Sequence, residues 1–246
     1  MRIATYNIWN DEETFSLREA DILSELARCG ADLAVLQEVP ADFAAGALKE
    51  LYPYFVFEPY EGEDAGLAIL SRYPVLESEL LPAADEQANC FALYARITTG
   101  DAELAVMNVH LTWHSDAERL RHAERFAACL AEKQAAVKLL LGDFNCSPDA
   151  PAHRLLTQGN APWRELCCEW AARCGQPLFA TLDFETNPRW NNDPVRETPQ
   201  NFDRIYLQGE AKLLSLSMFG TEVRPSGLCA SDHYGICAEL AIFISA

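Results

Sequence analysis

The segment LLLGDFN, residues 139–145, runs out of an apolar strand and stops on a glycine, an acid and an amide. Alone this is ordinary turn chemistry, because Asp and Asn commonly end strands by bonding their own backbone. The same event recurs along the chain, and the recurrence constrains the fold more than any other feature. Asn7 ends the first apolar stretch in TYNIW, Glu38 follows the second in VLQEV, and His110 ends another in MNVHL. Asp143 and Asn145 close LLLGDFN, Asp203 opens FDRIYL, and Asp232 and His233 precede the last stretch in SDHYGI. Each has a local explanation as a turn residue, a cap or a sheet histidine. Jointly those explanations need a coincidence at six strand ends, whereas strands ending at one edge of a sandwich would bring the side chains together.

The apolar pattern places strands at 2–8, 33–37, 66–70, 91–98, 103–110, 137–143, 202–208, 212–218 and 235–243. Residues 2–8 alternate as a half-buried strand should, while LAVLQ (33–37) is a continuous buried run. Ser16 with Glu19 reads as a capping box opening a helix that Gly30 closes. Ser115 with Glu118 does the same for a helix from Asp116 to Lys133, and 163–174 is helical. No repeat or linker divides the chain, so residues 1–246 are expected to form one domain. Many strands with few helices suggest two sheets packed face to face with helices outside. The segment TLDFETNPRWNNDPVRETPQN, 181–201, follows neither period, and a loop that long in a compact domain is usually functional or disordered.

Charge bears on the partner. There are 37 acids against 19 bases, a formal charge of -18, and no Lys/Arg cluster. Proteins that grip long nucleic acid usually show a basic patch, so a polyanionic partner is disfavoured, though not excluded. Nine cysteines without a CxxC pair suit reduced thiols better than a disulfide framework or a zinc site. No apolar run approaches the ~20 residues of a membrane span, and MRIATYNIWN reads as a strand rather than a signal peptide. A cytoplasmic monomer is expected.

The pieces TYNIW, LQEV, GLAILSRYPV, NVHL, LGDFN, FDRIYL and SDHYGI cover nearly the whole chain. In that order they resemble the metal-dependent endonuclease/exonuclease/phosphatase superfamily. The resemblance implies a four-layered α/β sandwich, two mostly antiparallel sheets flanked by helices, with the site at one sheet edge. It also implies Mg²⁺, for which Mn²⁺ substitutes. Glu38 is the leading ligand, with Asn7 beside it and Asp232 as an addition, since Mg²⁺ prefers one or two carboxylates and keeps several waters. Asp143 would orient or deprotonate the attacking water, and Asn145 would hold the water or the phosphate. His233, oriented by Asp203, would contact a phosphate oxygen, and His110 would donate to the phosphate or the leaving group.

The 181–201 loop resembles that of sphingomyelinase-like members, and HLTWHSDAERLRHAE resembles small bacterial members of that branch. A small-molecule or lipid-headgroup phosphodiester is therefore the expected substrate. A DNA nuclease of the abasic-site or DNase I type is the alternative, and an inactive binding module is disfavoured by the intact motifs. Arg189 and Trp190 are expected to contact substrate from the loop, with an inward structural anchor as the competing reading for Trp190. Trp9 and Trp113 flank the motifs, where packing in the core or at the rim is at least as strong a reading as lining the cleft. Cys146 has no neighbouring base and is given no nucleophilic role.

Overall fold

The computed structural model describes residues 1–11, 13–82, 91–159, 161–191 and 198–243, the side chain of 82 excepted. Asn192 and the rest of 192–197 in the irregular loop lie outside the described residues. The first sheet runs β11-β12-β1-β2-β4-β3 and the second β5-β6-β7-β8-β10-β9. In the first sheet the strands are β1 (Arg2–Asn7), β2 (Leu33–Pro40), β3 (Tyr54–Pro59), β4 (Ala65–Ser71), β11 (Ala211–Phe219) and β12 (Gly235–Ile242). The second holds β5 (Val75–Pro82), β6 (Phe91–Thr98), β7 (Glu103–His110), β8 (Val137–Asp143), β9 (Arg164–Glu165) and β10 (Asp203–Gly209). β1–β2 and β7–β8 are parallel, and the other pairings are antiparallel.

Period-two alternation sorts the strand residues into layers. Ile3, Val35, Leu139 and Leu141 point into the core between the sheets. Ala4, Tyr6 and Leu36 point the other way, onto helix Phe15–Cys29, while Leu140 and Tyr206 meet helices Asp116–Glu132 and Pro151–Gln158. The order helix, sheet, sheet, helix makes the four-layered α/β sandwich. β1 is consequently buried on both faces rather than half-buried, because a helix covers its second face.

Helix Phe15–Cys29 does not start at a Ser16 cap. Asp11 organises its start: its carboxylate accepts the Glu13 N–H (3.2 Å) and the Thr14 hydroxyl, and its carbonyl accepts the Phe15 N–H (2.8 Å). The Ser115 cap is as expected, accepting the Glu118 N–H at 3.4 Å. The eight described cysteines are unpaired. No helix among the described residues is long and apolar enough to cross a membrane.

Candidate active site

Register explains why the polar strand ends meet. In the second sheet His110 lies beside Asp143, and Asp143 beside Asp203, across three neighbouring strands. In the first, Asn7 lies beside Gln37 at the ends of parallel strands, and β12 runs antiparallel to β1. Asp232 and His233, which lead into β12, thus reach the same edge.

Local backbone turns these side chains out of the sheets. Glu38 adopts φ 57°, Trp9 φ 56° and Asn145 φ 48°, all left-handed conformations that cost free energy in a non-glycine residue. At Glu38 the cause is visible. Pairing of β2 with β4 slips between Leu36 and Val39, a bulge of the kind that re-aims a side chain. Asn108 of the second sheet crosses the core to satisfy carbonyls on both of those strands, Leu36 O at 2.8 Å and Ala68 O at 3.0 Å. Its own Oδ1 accepts from Gln37 Nε2 at 2.6 Å. The Trp9 turn is clamped from below by Arg18, fully inside its helix, which donates to Ile8 O (3.0 Å), Trp9 O (2.6 Å) and Ala230 O (2.8 Å). Gly142 answers a tighter demand: with φ 141°, a β-carbon there would lie 2.0 Å from Val109 O of the neighbouring strand.

The side chains themselves form one network. Asn7 Nδ2 donates to Glu38 Oε1 (2.9 Å) and to Asp143 Oδ2 (3.0 Å), joining the two sheets. Asn10 N–H donates to the other Glu38 oxygen at 3.0 Å. Asp143 Oδ1 accepts the Asn145 N–H at 2.8 Å, and Asn145 Nδ2 donates to Leu111 O at 2.8 Å. His233 Nδ1 lies 2.8 Å from Asp203 Oδ2, a histidine–carboxylate pair. His110 Nε2 is 3.8 Å from both Glu38 Oε1 and Asp143 Oδ2, and His233 Nε2 is 3.9 Å from Asp143 Oδ2. One ligand atom each from Asp143, Asp203 and His233 fall within 4.8 Å of one another, a spacing able to hold a cation.

Burial and charge compete here. Burial pushes Asp232 up to about 6, with the neighbouring His233 opposing it and Glu38 adding to it. Burial opposes the His233 imidazolium too, but Asp203 and Asp232 outweigh it and hold that group well above the usual histidine range.

Glu38, His110, Asp143, Asn145 and His233 line a cavity of about 440 Å³, together with Asn10, Tyr60, Trp113, His114, Glu63 and Glu118. Among the described residues its lining contains no Lys or Arg. Asn7, Asp203 and Asp232 stand behind that wall. Asn145 is also part of the wall of a second depression of about 360 Å³, with Arg119, Ser147 and Gln200. Arg189 and Trp190 line neither depression. Arg189 Nε donates to Cys229 O (2.7 Å) with its guanidinium over the Trp9 ring, and Trp190 Nε1 donates to Asp232 O (3.2 Å) while its ring packs on Phe184.

Several residues at the site were not among those the sequence pointed to. Tyr60 OH is 2.9 Å from His110 Nδ1 and accepts the Glu38 N–H at 3.3 Å. Thr181 Oγ1 accepts the Asp203 N–H at 3.1 Å, and Ser231 Oγ donates to Asn7 O at 2.8 Å. Ser231 was findable, since it sits inside SDHYGI. Tyr60 lies outside every motif, and Thr181 opens the irregular 181–201 segment, where nothing in the sequence pointed to it.

A two-sheet sandwich with acids, an amide and histidines at one open edge defines a hydrolase acting on phosphoric ester bonds. The chain belongs to the Endonuclease/Exonuclease/phosphatase family, whose model matches residues 4–233 and in which metal-dependent catalysis is typical. Tyrosyl-DNA phosphodiesterase 2 of Homo sapiens is 24% identical over 254 residues, covering 98% of this chain and 68% of that protein. Among solved structures, D. rerio TDP2 complexed with single strand DNA product matches with a TM-score of 0.83 at 23% identity, covering 98% of both chains. A mannosyl-6-phosphatase of Bacteroides thetaiotaomicron matches with a TM-score of 0.77 at 17% identity, covering 98% of this chain and 99% of that one.

Proposed function

We propose that the protein hydrolyses a small phosphodiester by water attack, with Mg²⁺ or Mn²⁺ bound at Glu38. One observation carries this reading: the cavity wall gathers Glu38, Asp143 and three histidines but, among the described residues, no Lys or Arg. A phosphate entering there would meet like charge unless a cation came with it. The donor set fits a hard divalent ion. Both Glu38 oxygens accept from neutral N–H donors, as an ionised carboxylate does; Asn7 turns its Nδ2 to Glu38 and its Oδ1 to the Trp9 N–H at 3.0 Å, so it orients Glu38 and is not itself placed as a ligand. The Asp143, Asp203 and His233 grouping is the poorer host, because His233 and Asp203 already share a proton at 2.8 Å. Asp232, one layer back, adds negative charge behind the site. When bound, the cation would neutralise phosphate oxygens and the developing charge on the leaving oxygen.

The chain's own residues supply the rest. Asp143 is held at both oxygens, by Asn7 and by the Asn145 N–H, so it is fixed to accept the proton of the attacking water. Asn145 commits its amide nitrogen to Leu111 O, which leaves Oδ1 to take a hydrogen bond from that water. His233, kept protonated by Asp203, offers Nε2–H to a phosphate oxygen, and His110 offers a second donor. The second depression meets the first at Asn145 and gives a diester's other arm a place to lie.

The test is turnover of a phosphodiester panel, headed by bis-p-nitrophenyl phosphate, in EDTA and after Mg²⁺ or Mn²⁺ is restored. Activity should vanish and return, and Glu38→Ala should weaken metal binding measured by calorimetry. Full turnover in excess EDTA overturns the reading. Single-stranded DNA with a phosphotyrosyl end belongs in the panel, because of the likeness to the tyrosyl-DNA phosphodiesterases. The charge of -18 favours the small esters over it.

A further inference from the structure

Trp113 is 71% exposed although it lines the catalytic cavity. It is not on a loose loop. Leu111 N–H donates to Asp143 O (2.9 Å), and Leu111 O accepts from Asn145 Nδ2 (2.8 Å). Thr112 O accepts from Arg119 Nη1 (3.0 Å), and Thr112 Oγ1 from the His114 N–H (3.3 Å). The segment bearing the indole is thus fastened directly to the strand end that holds Asp143. The His114 ring backs it, with centroids 3.8 Å apart and planes 32° from each other. An indole held open on a fixed backbone at the wall of the cavity is available to stack on whatever enters it.

We propose that Trp113 is a stacking ledge for one substituent of the ester, and that this substituent is a ring carrying no negative charge. The inference rests on the reading of the cavity as the phosphate site. A space of about 440 Å³ lies in the range that holds a ligand with a ring and not a phosphate alone. Glu63 and Glu118 contribute to the same wall and, among the described residues, no Lys or Arg does, so a second phosphate or a carboxylate on that ring would be repelled. Trp113 touches no reacting atom in this reading. It selects, and does not catalyse.

The test is isothermal titration of the Mg²⁺-loaded protein with methylphosphonate, phenylphosphonate and 4-carboxyphenylphosphonate, none of which is hydrolysed. Stacking should make phenylphosphonate bind about two- to tenfold tighter than methylphosphonate. That ratio should fall to near one in Trp113→Ala and largely survive in Trp113→Phe. The carboxylated ring should bind more weakly than the plain one, and Glu63→Gln with Glu118→Gln should narrow that gap. An unchanged ratio in Trp113→Ala overturns the ledge, and a carboxylated ring that binds as well as the plain one overturns the charge rule. If methylphosphonate itself fails to bind, the phosphate site falls and the ledge with it. If methylphosphonate binds and the ring adds nothing, the ledge alone falls and the phosphate site stands.

Discussion

Asn145 and Asn187 are the same residue type in irregular segments, and they do opposite things. Asn145 uses one end of its amide on Leu111 O and lines both depressions with what remains. Asn187 is saturated: Nδ2 donates to Ser231 O and Asp232 O, both at 3.0 Å, and Oδ1 accepts the Arg189 N–H at 3.1 Å. The contrast extends to the tryptophans, Trp113 open at the cavity and Trp190 bonded to the Asp232 carbonyl. A strand end in this fold therefore presents chemistry, whereas residues 187–190 brace the backbone that presents it. Composition alone does not separate the two, since both segments carry Asn, Asp and Pro.

The contrast breaks most visibly at Asp143. Asp143→Asn keeps the size and one hydrogen-bond acceptor but cannot take a proton from water. Loss of a general base typically costs on the order of 10²–10⁴ in rate, so kcat should fall in that range with KM little changed. A variant that keeps most of the wild-type kcat would reduce Asp143 to a turn residue of the Asn187 kind.

Trp190→Ala should lie next in size, and should act on the whole protein. The ring packs on Phe184 with centroids 4.6 Å apart and its N–H holds Asp232 O, so truncation removes both a packing surface and a backbone tie. A half-buried tryptophan should cost about 2 kcal/mol, below the range for full burial, or ~4–8 °C in Tm at this chain length. Activity should fall equally on a large substrate and on a minimal aryl phosphodiester. A selective loss on the larger substrate at unchanged Tm would instead give the loop a direct hand in substrate choice.

The same contrast explains what the sequence disclosed. Strands covered on both faces were legible as apolar runs, and β6, β7 and β8 begin and end where the pattern placed them. The edge strands β3 and β5 were not placed: YFVF in β3 is too short an apolar run to assign by itself, and Glu77 and Glu79 interrupt β5. Helix Pro151–Gln158 was hidden inside a stretch whose prolines signalled a turn, although proline at the first helical position is compatible with a helix. At the site, a residue was legible where it interrupted an apolar run. Asn108 interrupts one too, but its task is to fill the carbonyls left by a bulge in the other sheet, a fact about two strands far away in sequence. Arg18 lies outside every motif, yet its guanidinium closes the Trp9 turn.

Tyr60 sharpens the comparison at the smallest scale, since it lies outside the motifs and yet touches one. Burial, reinforced by the Glu38 charge, pushes its phenol well above the ordinary range, so it stays protonated. Its oxygen already accepts the Glu38 N–H at 3.3 Å, and His110 Nδ1 lies 2.9 Å away. We expect the phenol proton to go to Nδ1, which would leave the His110 imidazole with its own proton on Nε2, the nitrogen 3.8 Å from Glu38 and Asp143. Tyr60→Phe keeps the ring stacked on Phe91, with centroids 5.5 Å apart, and deletes the hydroxyl, both the partner of His110 Nδ1 and the acceptor of the Glu38 N–H. The loss of one hydrogen bond of about 1.4 kcal/mol corresponds to roughly tenfold in rate, so kcat should drop by about that factor while KM holds. Nitrogen-15 NMR of His110 gives the readout that a purely structural role would not move: the wild type should show the Nε2–H tautomer alone, and Tyr60→Phe a mixture of both. If the wild type shows the Nδ1–H form, Tyr60 is an acceptor that merely packs beside the site. A tenfold loss with the tautomer unchanged would place the effect in the Glu38 N–H contact instead.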